Sequence, residues 1–215
     1  MINRPLAYLL VAGAMAVFFP QQTLGQTPEQ SVAEDMDSKA DPGDFIVTVI
    51  DDLKALVVND GDDPEARRIR LSAYLSEHLS VERMSRFVLS QSIRQSADPV
   101  NVETYDAKFE AYITAVFGEQ LDQLVTRRIE IDTVMTRKPG DFIVRSVLFD
   151  DRGRERAKVD WRVLDDDGQL RLVDVIVEGI SVSIERRAQF SALVSNQGFD
   201  ALLDHMQDTI NGSAS

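Results

Sequence analysis

The chain has 215 residues, with 23 basic and 36 acidic side chains and a net charge of −13. A nucleic-acid partner is not expected because phosphate binding needs a basic surface, and lasting adhesion to an anionic membrane is disfavoured for the same reason. The absence of cysteine excludes disulfides, zinc–thiolate sites and cysteine nucleophiles.

Residues 1–25 predict a secretory signal peptide. Arg4 gives a short basic start, residues 6–19 form an apolar run, and residues 23–25 offer the small side chains of a cleavage site. A retained membrane anchor is the alternative, but it would need roughly 20 apolar residues. Pro20 ends this run too early, so we expect cleavage after Gly25 and secretion.

The mature chain is predicted to begin with a leader and to continue as one domain. Residues 26–43 are polar and rich in alanine, aspartate and proline, which predicts a flexible segment. Residues 44–210 have a length that suits a single domain, with enough chain to bury a core and still enclose a cavity.

The first half of this domain is predicted to be helical because its apolar residues recur at helical spacing. Asp63 before Pro64 is a favourable helix start, and Ser80 can cap a third helix. Asp98 and Pro99 predict a turn before the fourth helix. The apolar positions of the first three helices are Phe45, Val49, Leu53, Leu56, Val57, Ile69, Ala73, Leu79, Met84, Phe87 and Val88.

The fourth helix carries the longest apolar stripe, and much of it is aromatic. Such a stripe is typical of a core helix, and it is also suited to walling an apolar pocket. Its members are Tyr105, Phe109, Tyr112, Ile113, Val116, Phe117, Leu121 and Leu124.

In the second half, apolar and polar residues alternate, which predicts four strands joined by short turns. Short links favour an antiparallel meander. In the third strand Val159, Trp161 and Val163 share one face, opposite charged residues, as in a sheet with one wet side. Val173, Val175 and Val177 are predicted to share a face of the fourth strand. The predicted strands are 128–136, 142–149, 157–164 and 170–177.

The alternation ends at Gly179, and a helical pattern follows. Ser181 can cap this helix, which is marked by Ile180, Ile184, Phe190 and Leu193. A last short helix contains Phe199, Leu202, Leu203 and Met206. The predicted class is therefore α+β, with helices packed on one face of a curved four-stranded antiparallel sheet that can enclose an apolar cavity.

The residues indicate no catalytic or metal-binding constellation. His78 and His205 lie in separate helices, and no zinc-protease, phosphate-loop or nucleophile-elbow motif occurs. Asp160, Asp174 and Glu178 are the only plausible acid–base set, and strict alternation places them on the wet face of the sheet.

Two arginines after Gly179 leave several roles open. Arg186 and Arg187 could meet a phosphate or the carboxylate of a partner. They could equally pair with Glu178 or Glu185 on the protein surface.

Residues 159–206 carry a resemblance that covers, more weakly, residues 44–206. Its most specific pieces are Asp160-Trp161-Arg162-Val163 and residues 173–181, followed by Arg187, Gln189-Phe190 and Gly198-Phe199. In these positions the chain resembles the MlaC, or toluene-tolerance, family. This family is the periplasmic phospholipid-binding component of the maintenance-of-lipid-asymmetry pathway.

The resemblance implies a cone-shaped fold related to the nuclear-transport-factor-like fold. It also implies a carrier that is not an enzyme and that has no metal or catalytic cofactor. The carrier would hold acyl tails in the cavity and move phospholipid between an outer-membrane lipoprotein complex and an inner-membrane ABC transporter complex with its membrane-anchored lipid-binding subunit. Arg186 and Arg187 become candidates for its rim or docking surface. The expected lipid-binding residues are Phe109, Ile113, Val116, Phe117, Val144, Val159, Trp161, Val163, Val173, Val175 and Val177.

Other interpretations remain open at this point. Members of the same family occur beside hopanoid and other lipid pathways, so the cargo can differ. An interaction module with a solid core, or an enzyme that uses Asp160, Asp174 and Glu178, would fit a similar sequence.

Overall fold

The computed structural model describes residues 40–58 and 63–212, and within these ranges the chain forms seven helices and five strands. The helices are α1 (Pro42–Val58), α2 (Pro64–His78), α3 (Val81–Val88), α4 (Gln91–Ser96), α5 (Pro99–Val125), α6 (Val182–Gln197) and α7 (Phe199–Gly212). The strands are β1 (Arg128–Lys138), β2 (Asp141–Phe149), β3 (Glu155–Asp166), β4 (Gln169–Val177) and β5 (Ile180–Ser181). The predicted α+β class is confirmed, and β5 adds a two-residue strand to the four expected. The predicted signal peptide lies outside the described residues, and α1 begins two residues before the predicted domain start.

Local polar residues determine where the helices begin. The Asp63 carboxylate accepts the backbone N–H of Glu65 at 3.0 Å, and Pro64 is the first residue of α2. Ser181 caps α6 by accepting the N–H of Ile184 at 3.1 Å. Ser80 stands at the N-cap of α3 as expected, but its hydroxyl makes no capping bond. Its backbone N–H instead donates to the carbonyl of Leu172 at 3.0 Å, which joins the α2–α3 link to β4.

Two elements were not foreseen. The six-residue helix α4 is too short to show a period, and Ser90 caps it by accepting the N–H of Ile93 at 3.4 Å. Ile180 was assigned to a helix, but it lies in β5. Glu178 and Gly179 both have positive φ, of 52° and 80°, so they form a two-residue hairpin that returns the chain to β4 before α6 begins.

The sheet is an antiparallel meander in the order β1-β2-β3-β4-β5, and it is curled but not closed. Register shifts interrupt β1 between Ile131 and Thr133, and the β2–β3 pairing between Leu148 and Phe149. Bulges of this kind bend a strand and increase its twist, which accounts for the curl.

A further register shift, between β3 and β4, corrects the predicted face of β4. Val163 pairs with Leu172, whereas the preceding Arg162 pairs with Asp174, so Val173 has no partner on β3. Because one unpaired residue exchanges the two faces of a strand, Leu172 rather than Val173 shares the inner face with Val175. The prediction that the three valines of β4 alternate regularly was therefore wrong at Val173.

The aromatic part of the core lies where α5 meets α6 and α7. Tyr105, Phe109 and Tyr112 of α5 pack with Phe190 of α6, and each is at most 1% exposed. The ring centroids of Tyr112 and Phe190 are 5.5 Å apart, and α7 adds the fully buried Leu202. This half of the α5 stripe is ordinary core, which fixes the helices against each other.

Replacing Phe190 with alanine should lower the free energy of unfolding by about 3–5 kcal/mol, because it empties the centre of this aromatic cluster. Ile184→Ala is the matched control on the same helix, since Ile184 is 60% exposed, and it should change stability by no more than about 0.5 kcal/mol. Urea denaturation of lipid-free protein measures both values. Equal losses for the two variants would show that the cluster does not hold α6.

Candidate functional site

A cavity of about 570 Å³ lies against the inner face of the sheet. This volume is within the range of about 300–1,000 Å³ that is usual for ligand sites. Thirteen described residues line it, of which eleven are apolar and two are arginines. The lining residues are Leu53, Val116, Phe117, Arg127, Ile129, Leu148, Arg156, Ala157, Val159, Trp161, Val175, Val177 and Val182.

The pairing of β3 with β4 determines which side chains form the sheet wall of this cavity. Trp161 lies opposite Val175, and Val159 lies opposite Val177. Residues directly opposite each other on neighbouring strands project from the same face. The bulge at Val173 leaves this pairing intact, so the four side chains make one continuous apolar surface.

Trp161 presents its ring to the cavity while its polar atom is satisfied elsewhere. The indole Nε1 donates to Ser146 Oγ at 3.0 Å, and that hydroxyl donates to the carbonyl of Val159 at 2.7 Å. Ser146 is 2% exposed, so both bonds are made inside the protein. A buried indole N–H without a partner would be costly, and this chain of hydrogen bonds fixes the ring as an apolar wall.

A second cavity, of about 60 Å³, continues the first toward α3 and α6. The two cavities share four lining residues, Val116, Phe117, Val175 and Val182. Phe109 and Ile113 line the small cavity on its α5 side.

The structure therefore divides the predicted lipid-binding residues into three groups. Six line the large cavity, namely Val116, Phe117, Val159, Trp161, Val175 and Val177. Phe109 and Ile113 line only the small one. Val144, Val163 and Val173 line neither. Val144 and Val163 are fully buried in the core, and Val173 sits in the bulge.

The two arginines proposed for the rim have local partners. The Arg186 guanidinium lies 5.7 Å from the ring centroid of Tyr112 and donates to Gln189 Oε1 at 2.9 Å. It also lines the small cavity. Arg187 stacks over Phe87 at 5.2 Å and lines neither cavity. A rim or docking role for this pair remains a prediction.

The candidate acid–base residues do not meet in the cavity. Asp160 lies 3.8 Å from Arg145, and Glu178 accepts the backbone N–H of Lys158 at 2.6 Å. Asp174 corrects the expectation of a wet face, because it is half-buried and lines the small cavity. Its carboxylate accepts the Ser181 hydroxyl at 2.5 Å, so it helps to fix the start of α6.

Sequence reasoning missed the two arginines of the large cavity. Arg127 immediately precedes β1, and Arg156 immediately precedes the inward-facing Ala157 of β3. A basic residue one or two positions before the first inward-facing residue of a strand is the signal that could have found both. Ile129 and Leu148 had a clearer signal, since they alternate along the predicted strands.

The described residues also limit other sites. None of the described helices is long and apolar enough to cross a membrane. Within residues 40–58 and 63–212, no group of three or more histidine, aspartate or glutamate side chains could hold a metal ion. His78 stacks on Tyr74 with ring centroids 4.0 Å apart, and His205 packs near Phe190.

Comparison with known proteins decides the family. The family described as "MlaC protein" matches residues 44–208. The chain belongs to the MlaC family. This MlaC-family chain also resembles a solved structure described as a phospholipid-binding protein from Ralstonia solanacearum in complex with a phospholipid. The two share 16% sequence identity with a TM-score of 0.65, over 82% of this chain and all of the other, which shows a common fold.

Asp150 holds Arg156, which lines the large cavity. It is 5% exposed and accepts the backbone N–H groups of Arg154 at 2.9 Å and Arg152 at 3.0 Å. Its Oδ2 also lies 2.9 Å from Nε of Arg154 and 2.9 Å from Nε of Arg156. The backbone N–H of Arg154 and then its side chain stabilise the ionised form, which lowers the pKa of Asp150 to about 2.

We expect this carboxylate to make stability depend on acid pH. Its folded pKa lies below the unfolded value of about 3.9, so its stabilising effect is present above about pH 4 and is lost as the pH falls toward 2. Asp150→Asn should flatten the dependence of the free energy of unfolding on pH in that window, measured by urea denaturation. Asp151→Asn, at an exposed neighbour, is the control and should keep the slope of the parent. An unchanged slope in Asp150→Asn would contradict this account.

Proposed function

We propose that this MlaC-family protein is a periplasmic carrier that binds a phospholipid by its acyl tails and passes it between membrane complexes. The observation that carries the proposal is the apolar cavity between α5 and the sheet, which opens toward solvent beside Val177 and Val182. These two residues are 38% and 41% exposed, whereas Trp161 on the same wall is 8% exposed.

Moving a lipid through water exposes its acyl tails, which is costly in free energy. Burying one methylene group contributes about 0.8 kcal/mol of free energy. Exposing two tails of about 16 carbons to water would therefore cost more than roughly 20 kcal/mol of transfer free energy. A lipid therefore rarely crosses water unaided. An apolar cavity offsets this cost during transit, and a cavity that stays partly open allows release.

The structural relative supports the choice of ligand. The Ralstonia solanacearum protein shares the fold over its whole length and is described as bound to a phospholipid. A solid core, which an interaction module would have, is not what the inner face of this sheet shows. The proposal is accordingly one of binding and transfer, without catalysis.

Net charge suits a carrier that meets membranes only briefly. With 36 acidic against 23 basic residues, the protein is repelled by anionic head groups instead of adhering to them. Transfer then depends on docking to membrane complexes. We propose the inner-membrane ABC transporter complex with its membrane-anchored lipid-binding subunit, and the outer-membrane lipoprotein complex, with secretion directed by residues 1–25.

Fluorescence of Trp161 tests the proposal, since the chain has a single tryptophan and it lines the cavity. Phospholipid with brominated acyl chains should quench its emission strongly on binding, and the same lipid without bromine should not. A brominated lipid that transfers to the protein without quenching Trp161 would place the tails elsewhere.

A cavity-filling variant makes the test specific. Ala157→Phe should remove most of the lipid uptake, because the ring would occupy the space beside Leu148 and Trp161. Met135→Phe is the control, since Met135 is 43% exposed on β1 and does not line the cavity. Uptake from vesicles, measured after repurification, should match the parent in the control. Normal uptake by Ala157→Phe would argue against this cavity.

A further inference from the structure

The polar part of the large cavity is unusual for so acidic a protein. Among the residues that the structure describes, its lining contains Arg127 and Arg156 and no carboxylate. Chance placement would favour acidic residues, because the chain has 36 of them against 23 basic ones. Two cations on the border of an apolar surface indicate an anionic group in the ligand.

Arg127 is half-buried and has no hydrogen-bond or ion-pair partner among the residues that the structure describes. A partly desolvated cation without a counter-charge is unfavourable. An anionic ligand group beside it would restore the missing interaction.

Arg156 is positioned by Asp150 without being neutralised. Its Nε lies 2.9 Å from Asp150 Oδ2, but the same carboxylate also receives Arg154 and two backbone N–H groups. One carboxylate therefore contacts two guanidinium groups and can neutralise only one of their charges, so a net positive charge remains. No described residue is a hydrogen-bond partner of the two terminal nitrogens of Arg156. The fork of the guanidinium is then free for an acceptor with two oxygens.

Strand register brings these two residues to the same end of the sheet. Ile129, Leu148 and Ala157 lie in one row across β1, β2 and β3. Arg127 stands two residues before Ile129, and Arg156 stands one residue before Ala157. The side chain of Arg156 is 48% exposed, so this end of the cavity meets solvent while Trp161 lies deeper.

From this arrangement we propose that Arg127 and Arg156 together bind the phosphate group of the carried lipid. The site would select lipids that bear a phosphate over uncharged lipids with the same tails. This inference rests on the proposed function, and it assigns the residues that bind the phosphate of the head group.

The test compares two short-chain lipids that differ only in the head group, dioctanoyl-phosphatidylglycerol and dioctanoylglycerol. Binding to the delipidated mature chain is followed by Trp161 emission. We expect the parent to prefer the phosphate-bearing lipid. Arg127→Gln and Arg156→Gln should each weaken its binding by about tenfold, as for the loss of a charged hydrogen bond, and leave dioctanoylglycerol binding unchanged.

Arg152→Gln is the matched control. Arg152 is exposed on the same hairpin but does not line the cavity, and only its backbone N–H contacts Asp150. It should keep the affinity of the parent for both lipids. Because Arg127 has no described partner to lose, Arg127→Gln keeps the test valid even if Arg156→Gln unfolds the hairpin.

The outcomes separate this inference from the proposed function. Equal binding of the two lipids by the parent, or an equal loss for both lipids in Arg127→Gln, would overturn the phosphate assignment and leave lipid binding standing. Failure of the parent to bind either lipid would overturn the proposed function itself. Tight binding of inorganic phosphate alone would assign the two arginines to a soluble anion, and would also overturn the inference.

Discussion

The structure depends on one constraint, which is that the inner face of the sheet is mostly apolar but helices cover only part of it. Helices α1, α2 and α3 pack on part of this face, and Val144 and Val163 are fully buried. Beside them on the same face, Val159 and Trp161 line a cavity of about 570 Å³. Apolar surface that a monomer leaves uncovered marks a binding site. The fold and the proposed function therefore follow from the same incomplete coverage.

Helix α5 shows the division most clearly. Its stripe is continuous in sequence, yet Phe109 and Tyr112 belong to the aromatic core while Val116 and Phe117 line the large cavity. Packing of the first part holds the helix in place, which keeps the second part at a distance from the sheet. A carrier needs this rigidity, because a cavity that collapsed when empty would lose the apolar surface that offsets the desolvation of a tail.

The spacing of the apolar residues and the residue types in the turns were sufficient to predict most helices and strands. The four long strands lie within a few residues of their expected ranges, because their patterns are long and their turns contain glycine, and α5 contains the whole predicted apolar stripe. The bulge at Val173 could not be predicted, since an unpaired residue depends on the neighbouring strand. Nor does alternation say how deep a residue lies, so Val144 and Val163 were expected in the cavity although they belong to the core. Arg127 and Arg156 were missed because their role depends on strands that are distant in sequence.

The central claim, that the cavity holds lipid tails, is tested most directly by what the protein carries from the cell. The chain would be purified under mild conditions from a periplasmic extract, and studied by native mass spectrometry followed by lipid extraction. The account predicts one stoichiometric phospholipid on a chain shortened after Gly25. A hopanoid in its place would keep the mechanism and change the cargo. An empty protein that also fails to take lipid from vesicles would contradict the account and favour an interaction module.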